Sequence, residues 1–187
     1  MKNPFFTIDD YIMQSVNTIN QYWNWTTGRT KTELADLCFL TYGIEGAYMM
    51  TLGPDFKPDL GGTLLALIPL FSAGVFCKGN HLLHQLEERR KENTLNLKAE
   101  IIKRRNKMLA YTLGIPGALA QIVIHTQPAL PQDTWSTLRG DHAILSAASF
   151  TLGFLVSTAD NLPPRKNCLI RGIEHIANYY QTSHATT

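Results

Sequence analysis

The stretch LGGTLLALIPLFSAGVFC, residues 60–77, carries no charged side chain and is bounded by Asp59 and Lys78. A soluble amphipathic helix places a charge on its wet face every turn or so. This stretch does not, and it has the length of a short bilayer-spanning helix, roughly 17–25 residues. Three more stretches read the same way. LCFLTYGIEGAYMMTLGP (37–54) contains one acid, Glu45; MLAYTLGIPGALAQIVI (108–124) precedes His125; HAILSAASFTLGFLVSTA (142–159) lies between Asp141 and Asp160. Four such blocks predict an all-α fold, an integral membrane four-helix bundle built from two transmembrane hairpins. The alternative is a soluble bundle with buried hairpins, because each block is short for a membrane span.

The basic residues supply an independent argument. Lys2, Arg29 and Lys31 precede the first block, and Lys57 alone lies between the first two. Between blocks two and three stand Lys78, Arg89, Arg90, Lys91, Lys98, Lys103, Arg104, Arg105 and Lys107. Arg139 alone joins blocks three and four, and Arg165, Lys166 and Arg171 follow the last. Fifteen of the 17 therefore fall on one side of an alternating topology. The positive-inside rule places both termini and the central link on the cytoplasmic or matrix side of a bacterial or organellar inner membrane. The net charge of +2 gives no argument for nucleic acid. Charged residues are 17% of the chain, below the ~25% of soluble domains.

The chain then divides into five parts. Residues 1–33 predict an amphipathic helix over 7–25, capped by Thr7, with Ile8, Ile12, Val16, Ile19 and Trp23 on one face. This helix lies in the membrane surface or packs on the bundle or a partner. No signal-peptide core is seen there. Hairpin one spans 34–78 and opens on the capping box TKTE (30–33). The link 79–106 predicts a cytoplasmic helical hairpin that breaks at Asn93-Thr94. Leu82, Leu83, Leu86, Leu95, Leu97, Ile101 and Ile102 are expected to face inward. Its Arg89, Arg90, Lys91, Lys103, Arg104 and Arg105 would attract anionic lipid headgroups. Hairpin two spans 107–160. The tail 161–187 predicts a second amphipathic segment, with Leu169, Ile170, Ile173, Ile176, Ala177 and Tyr180 as its apolar face.

GIEGA (43–47) and GIPGA (114–118) nearly repeat each other. Small residues four apart let helices approach closely in a membrane, where no hydrophobic force drives them together. Gly43 with Ala47 and Gly114 with Ala118 are such pairs, as are Gly62 with Ala66 and Ser149, Gly153 and Ser157. The two hairpins read as a possible parallel tandem repeat.

Glu45 is the sharpest candidate for chemistry, because an acid near the centre of a span costs about 2.5–3.5 kcal/mol and marks a functional site by default. It is read as a proton-relay or cation group, or else as a protonated packing residue. Pro116, at the matching place in the repeat, frees the Thr112 carbonyl, and Pro69 frees that of Leu65. His81 and His84, in H-x-x-H spacing, share a helix face with Glu88 and read as an interfacial helix face or else a weak metal site. His125 and His142 are expected to meet at the outer ends of their helices, near Asp141 and Asp133, as polar anchors or a weak metal site. Three cysteines without a CxxC pattern argue against a zinc knuckle or disulfide framework. The histidines lie at block edges, which disfavours haem, and no cofactor is indicated.

No catalytic motif stands out. The expected role is a non-catalytic subunit or assembly component of a larger membrane complex, of secretion or respiratory type. Its partners would be the lipid bilayer, other subunits or further copies of itself. The alternatives are a small oligomeric ion or proton channel or transporter using Glu45 and the Pro116 break, and, third, a membrane enzyme.

Overall fold

The computed structural model describes residues 4–52, 59–89, 93–126 and 134–163, together with 166, 168 and 170–174. It is all-helical, with no strand among the described residues. The helices are α1 (Pro4–Thr27), α2 (Lys31–Thr51), α3 (Leu60–Glu88), α4 (Asn93–Leu109), α5 (Ile115–His125) and α6 (Thr134–Thr158). A π-helical turn, Ala110–Gly114, joins α4 to α5, so Leu97–His125 is one continuous rod. The chain forms two compact units, one of Met1–Leu34 with Ala159–Thr187 and the other of Ala35–Thr158.

The first unit is fastened by asparagines. On α1, Asn17, Asn20 and Asn24 stand three and four apart and therefore share a face. Asn17 Nδ2 donates to Asp160 Oδ2 at 2.9 Å, and its Oδ1 accepts from the Asp160 amide at 3.0 Å. Asn20 donates to the Asp160 carbonyl at 2.9 Å, and Asn24 to the carbonyls of Arg29 and Pro163, each at 3.0 Å. Gly28, at φ 77°, ends α1 in the left-handed conformation that glycine adopts without strain. The next turn carries one half of the expected capping box, in which Glu33 Oε2 accepts from the Thr30 amide at 2.9 Å.

Two expectations for this unit need correction. Helix α1 begins at Pro4, so Thr7 is inside it and does not cap it. Proline suits a first helical turn because its missing N–H would have no partner there. The expected apolar face of α1 is split, with Ile12 and Trp23 half-buried. Val16, Asn20 and Asn24 are buried, whereas Ile8 and Ile19 are exposed. Backbone carbonyls of the 159–163 segment need donors, and the asparagines provide them where an aliphatic face could not. In the tail, Ile170 and Ile173 are exposed, and Leu169, Ile176, Ala177 and Tyr180 lie outside the described side chains.

In the second unit the rods are α2, α3, the α4–α5 rod and α6. Their directions follow from residue pairs. Between α2 and α3, Asp36 meets Asn80, Phe39 meets Phe76, and Gly43 faces Ala73. Between α2 and α6, Phe39 meets Phe154, Tyr42 meets Phe150, and Glu45 meets His142. Along the α4–α5 rod, Asn106 meets Ser157, Gly114 meets Thr151, and His125 meets Asp141. Each series rises in one helix as it falls in the other, so each pair is antiparallel. Phe39, Tyr42, Phe76, Phe150 and Phe154 form a ring cluster joining three rods, with Phe150 and Phe154 4.9 Å apart.

Small polar residues are buried beside the apolar core, and many large apolar residues face outward. Ser146, Ser149, Thr151 and Ser157 of α6 are buried, as are Asn80 and Asn106. Leu64, Leu65, Ile68, Phe71 and Val75 of α3 are exposed, as are Leu119, Val123 and Ile124 of α5. Helix α3 and the Leu97–His125 rod are long and apolar enough to cross a membrane. Only 17% and 11% of their most apolar windows are buried. Helices α2 and α6 do not reach the same measure over the described residues.

The hairpin of α3 and α4 departs from its expected inward face. Leu83 and Ala99 are buried and Leu86 and Ile102 half-buried, but Leu82, Leu97 and Ile101 are exposed. The side chain of Leu95 lies outside the described residues. Lys103 pairs with the buried Glu87 at 2.5 Å, which rotates that face of α4 toward α3 and turns Leu97 and Ile101 away.

Candidate functional site

Glu45 lies in the last two turns of α2, and His142 lies two turns inside α6. Their levels therefore match, and Glu45 Oε2 and His142 Nδ1 share a hydrogen bond. The two side chains keep 20% and 24% of their exposure, so most of the pair is withdrawn from its surroundings. The Tyr48 ring, one turn along α2, meets the imidazole edge to face at 4.6 Å. The sequence reading placed His142 at a helix end, as a polar anchor or weak metal site near His125, and did not pair it with Glu45. The difference arises because α6 starts at Thr134, eight residues before the uninterrupted apolar block.

One turn of α6 reaches two neighbours. Arg139 Nη2 donates to the Leu52 carbonyl just past the end of α2, and Asp141 Oδ1 lies 3.3 Å from His125 Nε2 at the end of α5. Gly140 makes room for this, since a Cβ there would run into the His125 ring. His125 thus approaches α6 as expected, but it pairs with Asp141 while His142 turns to α2. Asp133 lies outside the described residues. The result is two His–carboxylate pairs side by side, arrangements that can hold or pass a proton.

The opposite end of the unit has its own polar set. Asp36 Oδ1 accepts from Asn80 at 2.9 Å, and Oδ2 lies 2.8 Å from His81 Nε2. His84 turns to Glu88 at 3.3 Å, so the two histidines of this helix have different acids as partners. No group of three or more His, Cys, Asp or Glu side chains converges as for a metal ion among the described residues.

The proposed small-residue faces occupy different surroundings. Gly43 lies against Ala73 and the Pro69 carbonyl, Gly114 against Thr151, and Gly153 against the Phe39 ring. Gly43 and Gly114 each face the helix that follows in the chain. Ala47 and Ala66 line an open apolar groove of about 430 Å³ between α2 and α3, with Ile44, Tyr48, Leu67 and Leu70. The Gly62 amide donates to Asp59 Oδ1 at 2.8 Å, as part of the α3 N-cap. Ala118 is half-buried, and Gly46, which the small-residue pattern did not include, packs on Pro69.

Pro116 sits on the exposed side of α5. A proline in a helix leaves the carbonyl four residues back without a donor and crowds it. Here the turn widens, and the Ile115 amide reaches the Ala110 carbonyl five residues back. Such π-turns absorb a local register mismatch. Among the basic residues, Lys103 pairs with Glu87, Arg104 pairs with Glu100 at 2.5 Å, and Arg105 donates to Asn106 Oδ1 at 3.3 Å. Arg89 is exposed, and Arg90 and Lys91 lie outside the described residues.

The Glu45–His142 pair, the Asp36–Asn80–His81 set and the asparagine face of α1 were not legible in the sequence. Each depends on the register between segments far apart in the chain. Only the i, i+3, i+7 spacing of the asparagines gave a local signal. No family model, no curated protein and no solved structure matches the chain.

Proposed function

We propose that the chain is an integral membrane protein whose four rods span the bilayer as two hairpins. Both termini and the 79–106 hairpin would lie on the cytoplasmic or matrix side, and it would serve as a non-catalytic subunit or assembly component of a larger membrane complex. The observation that carries the membrane reading is the 17% and 11% burial of the two most apolar windows. A core helix of a soluble protein hides such a window, and soluble monomers rarely expose contiguous apolar patches beyond a few hundred Å². The buried serines, threonines and asparagines suit helix contacts in lipid, where hydrogen bonds and close packing replace the hydrophobic force. The 149–157 part of α6 is largely buried against neighbouring helices and needs less apolar surface than α3. The alternating basic residues support the stated orientation.

The subunit reading rests on the amount of helix surface available to other spans, including Gly74, Gly79 and Gly117, where a Cβ would meet nothing within 4 Å. Purification in mild detergent from native membranes, followed by mass spectrometry, is expected to recover other membrane proteins in stoichiometric amounts. Recovery of a lone homo-oligomer would count against it. The second reading, a small proton or ion channel or transporter, is favoured by the Glu45–His142 pair. Its partner residue is now His142, while Pro116 lies on the exposed side of α5.

A further inference from the structure

We infer that α1 lies along the membrane surface on one specific face, formed by Ile8, Tyr11, Ile19, Tyr22 and Trp25, with the interfacial zone of the phospholipid layer as its partner. The inference rests on the membrane location proposed above. Helix α1 is inverted relative to a helix of a water-soluble unit. Its asparagines and Val16 point inward and are buried. The opposite side carries Ile8 at 59% exposure, Tyr11 at 73%, Tyr22 at 67% and Trp25 at 50%. These residues recur at helical spacings, so they form one stripe. Ser15 and Thr18 stand exposed among them.

The chemistry of the stripe identifies its partner. Asp9 and Asp10 are the only charged residues of α1, and their helical positions place both off the stripe. A face of this kind is not held by attraction to anionic headgroups. It offers aliphatic bulk, hydroxyls and amphipathic rings together. Tyrosine and tryptophan concentrate at the boundary between headgroups and acyl chains, where one end of the ring is wet and the other apolar. Helices on this boundary sink about 5–10 Å into it. The stripe is also held in shape. Tyr22 and Trp25 have ring centroids 6.1 Å apart, and the Arg171 guanidinium lies 5.6 Å over the Trp25 ring while its Nη2 donates to the Trp25 carbonyl at 2.6 Å. The stripe carries no acid, and the Arg171 guanidinium beside it is engaged by the Trp25 ring and carbonyl, so its binding should be independent of salt.

The test uses the full chain with Trp23→Phe and Trp135→Phe, which leaves Trp25 as the only tryptophan. It is reconstituted in phosphatidylcholine vesicles. Trp25 emission is expected to be lost to lipids bearing a nitroxide near the headgroup, less so to lipids labelled near the chain end, and to be little affected by acrylamide in the water. Raising the salt should change nothing. Strong acrylamide quenching with no lipid quenching would overturn the inference, as would shelter from both quenchers, which would mean a protein cover. Alkaline extraction of the same vesicles separates the two claims. A chain that stays in the membrane with Trp25 in water defeats the α1 inference alone, whereas a chain that is extracted defeats the membrane reading. If the double replacement disturbs folding, an environment-sensitive dye on Ser15→Cys, with the three native cysteines replaced by alanine, gives the same answer. Blue-shifted emission supports the stripe, and water-like emission contradicts it.

Discussion

His142→Leu should lower the stability of the purified protein by about 2–3 kcal/mol, and adding Glu45→Leu should restore part of the loss. Removing one partner of a buried pair leaves the other charge uncompensated, at roughly 3–5 kcal/mol when burial is complete. Here the side chains keep 24% and 20% of their exposure, which places the cost somewhat lower. Removing both partners leaves no orphan, and replacing a buried pair by apolar residues is often nearly neutral. The double replacement should therefore cost less than His142→Leu alone. Stability can be followed in detergent by heating with a thiol-reactive dye, because Cys38 is only 8% exposed. Costs that add as for independent sites would show that the two residues do not interact. Proton flux into vesicles from the same variants, with Glu45→Gln added, bears on the transport reading. Flux in the natural chain that is abolished by Glu45→Gln supports a relay. Unchanged flux removes Glu45 from it.

The second large effect is expected at Gly114, in the π-helical turn against α6. A Cβ there would stand 2.5 Å from Thr151 Oγ1 and 3.1 Å from Thr151 Cα. The hydroxyl can rotate away, but the backbone cannot, so Gly114→Ala must push two rods apart. Overpacking of this kind costs about 1–3 kcal/mol. Gly117, three residues on, has open space where a Cβ would stand, with nothing within 4 Å. Gly117→Ala should be neutral or stabilising by up to about 1 kcal/mol, from helix propensity. The opposite signs of two identical substitutions, measured by the same thiol assay, make the comparison specific. Equal effects would mean that the rod does not approach α6 at Gly114.

Much of the helical framework is visible along the sequence because its causes are local. Uninterrupted apolar residues mark 60–77 and 108–124, which fall within α3 and the Leu97–His125 rod. Thr30 and Glu33 mark the start of α2 by a hydrogen bond across three residues. The candidate site is not local. Glu45 and His142 are 97 residues apart, and their meeting depends on where α6 begins. Apolar patterning places that start too late, because Arg139 and Asp141 interrupt the run while remaining inside the helix. Arg139 is accommodated by the Leu52 carbonyl and Asp141 by His125, so neither charge ends the helix. Apolar periodicity also does not show which side of α1 turns inward. Apolar periodicity selects Ile8 and Ile19, while the structure turns hydrogen-bonding asparagines inward and leaves both isoleucines exposed.

We propose a topology in which four rods cross a bilayer with the basic link on the side of both termini. It is tested most directly by mapping sidedness, with a compartment-sensitive reporter fused in turn after Lys57, Glu92, Gln132 and Thr187. Glu92 and Thr187 are expected on the cytoplasmic or matrix side and Lys57 and Gln132 on the other. All four positions on one side, or Glu92 and Thr187 on opposite sides, would contradict it.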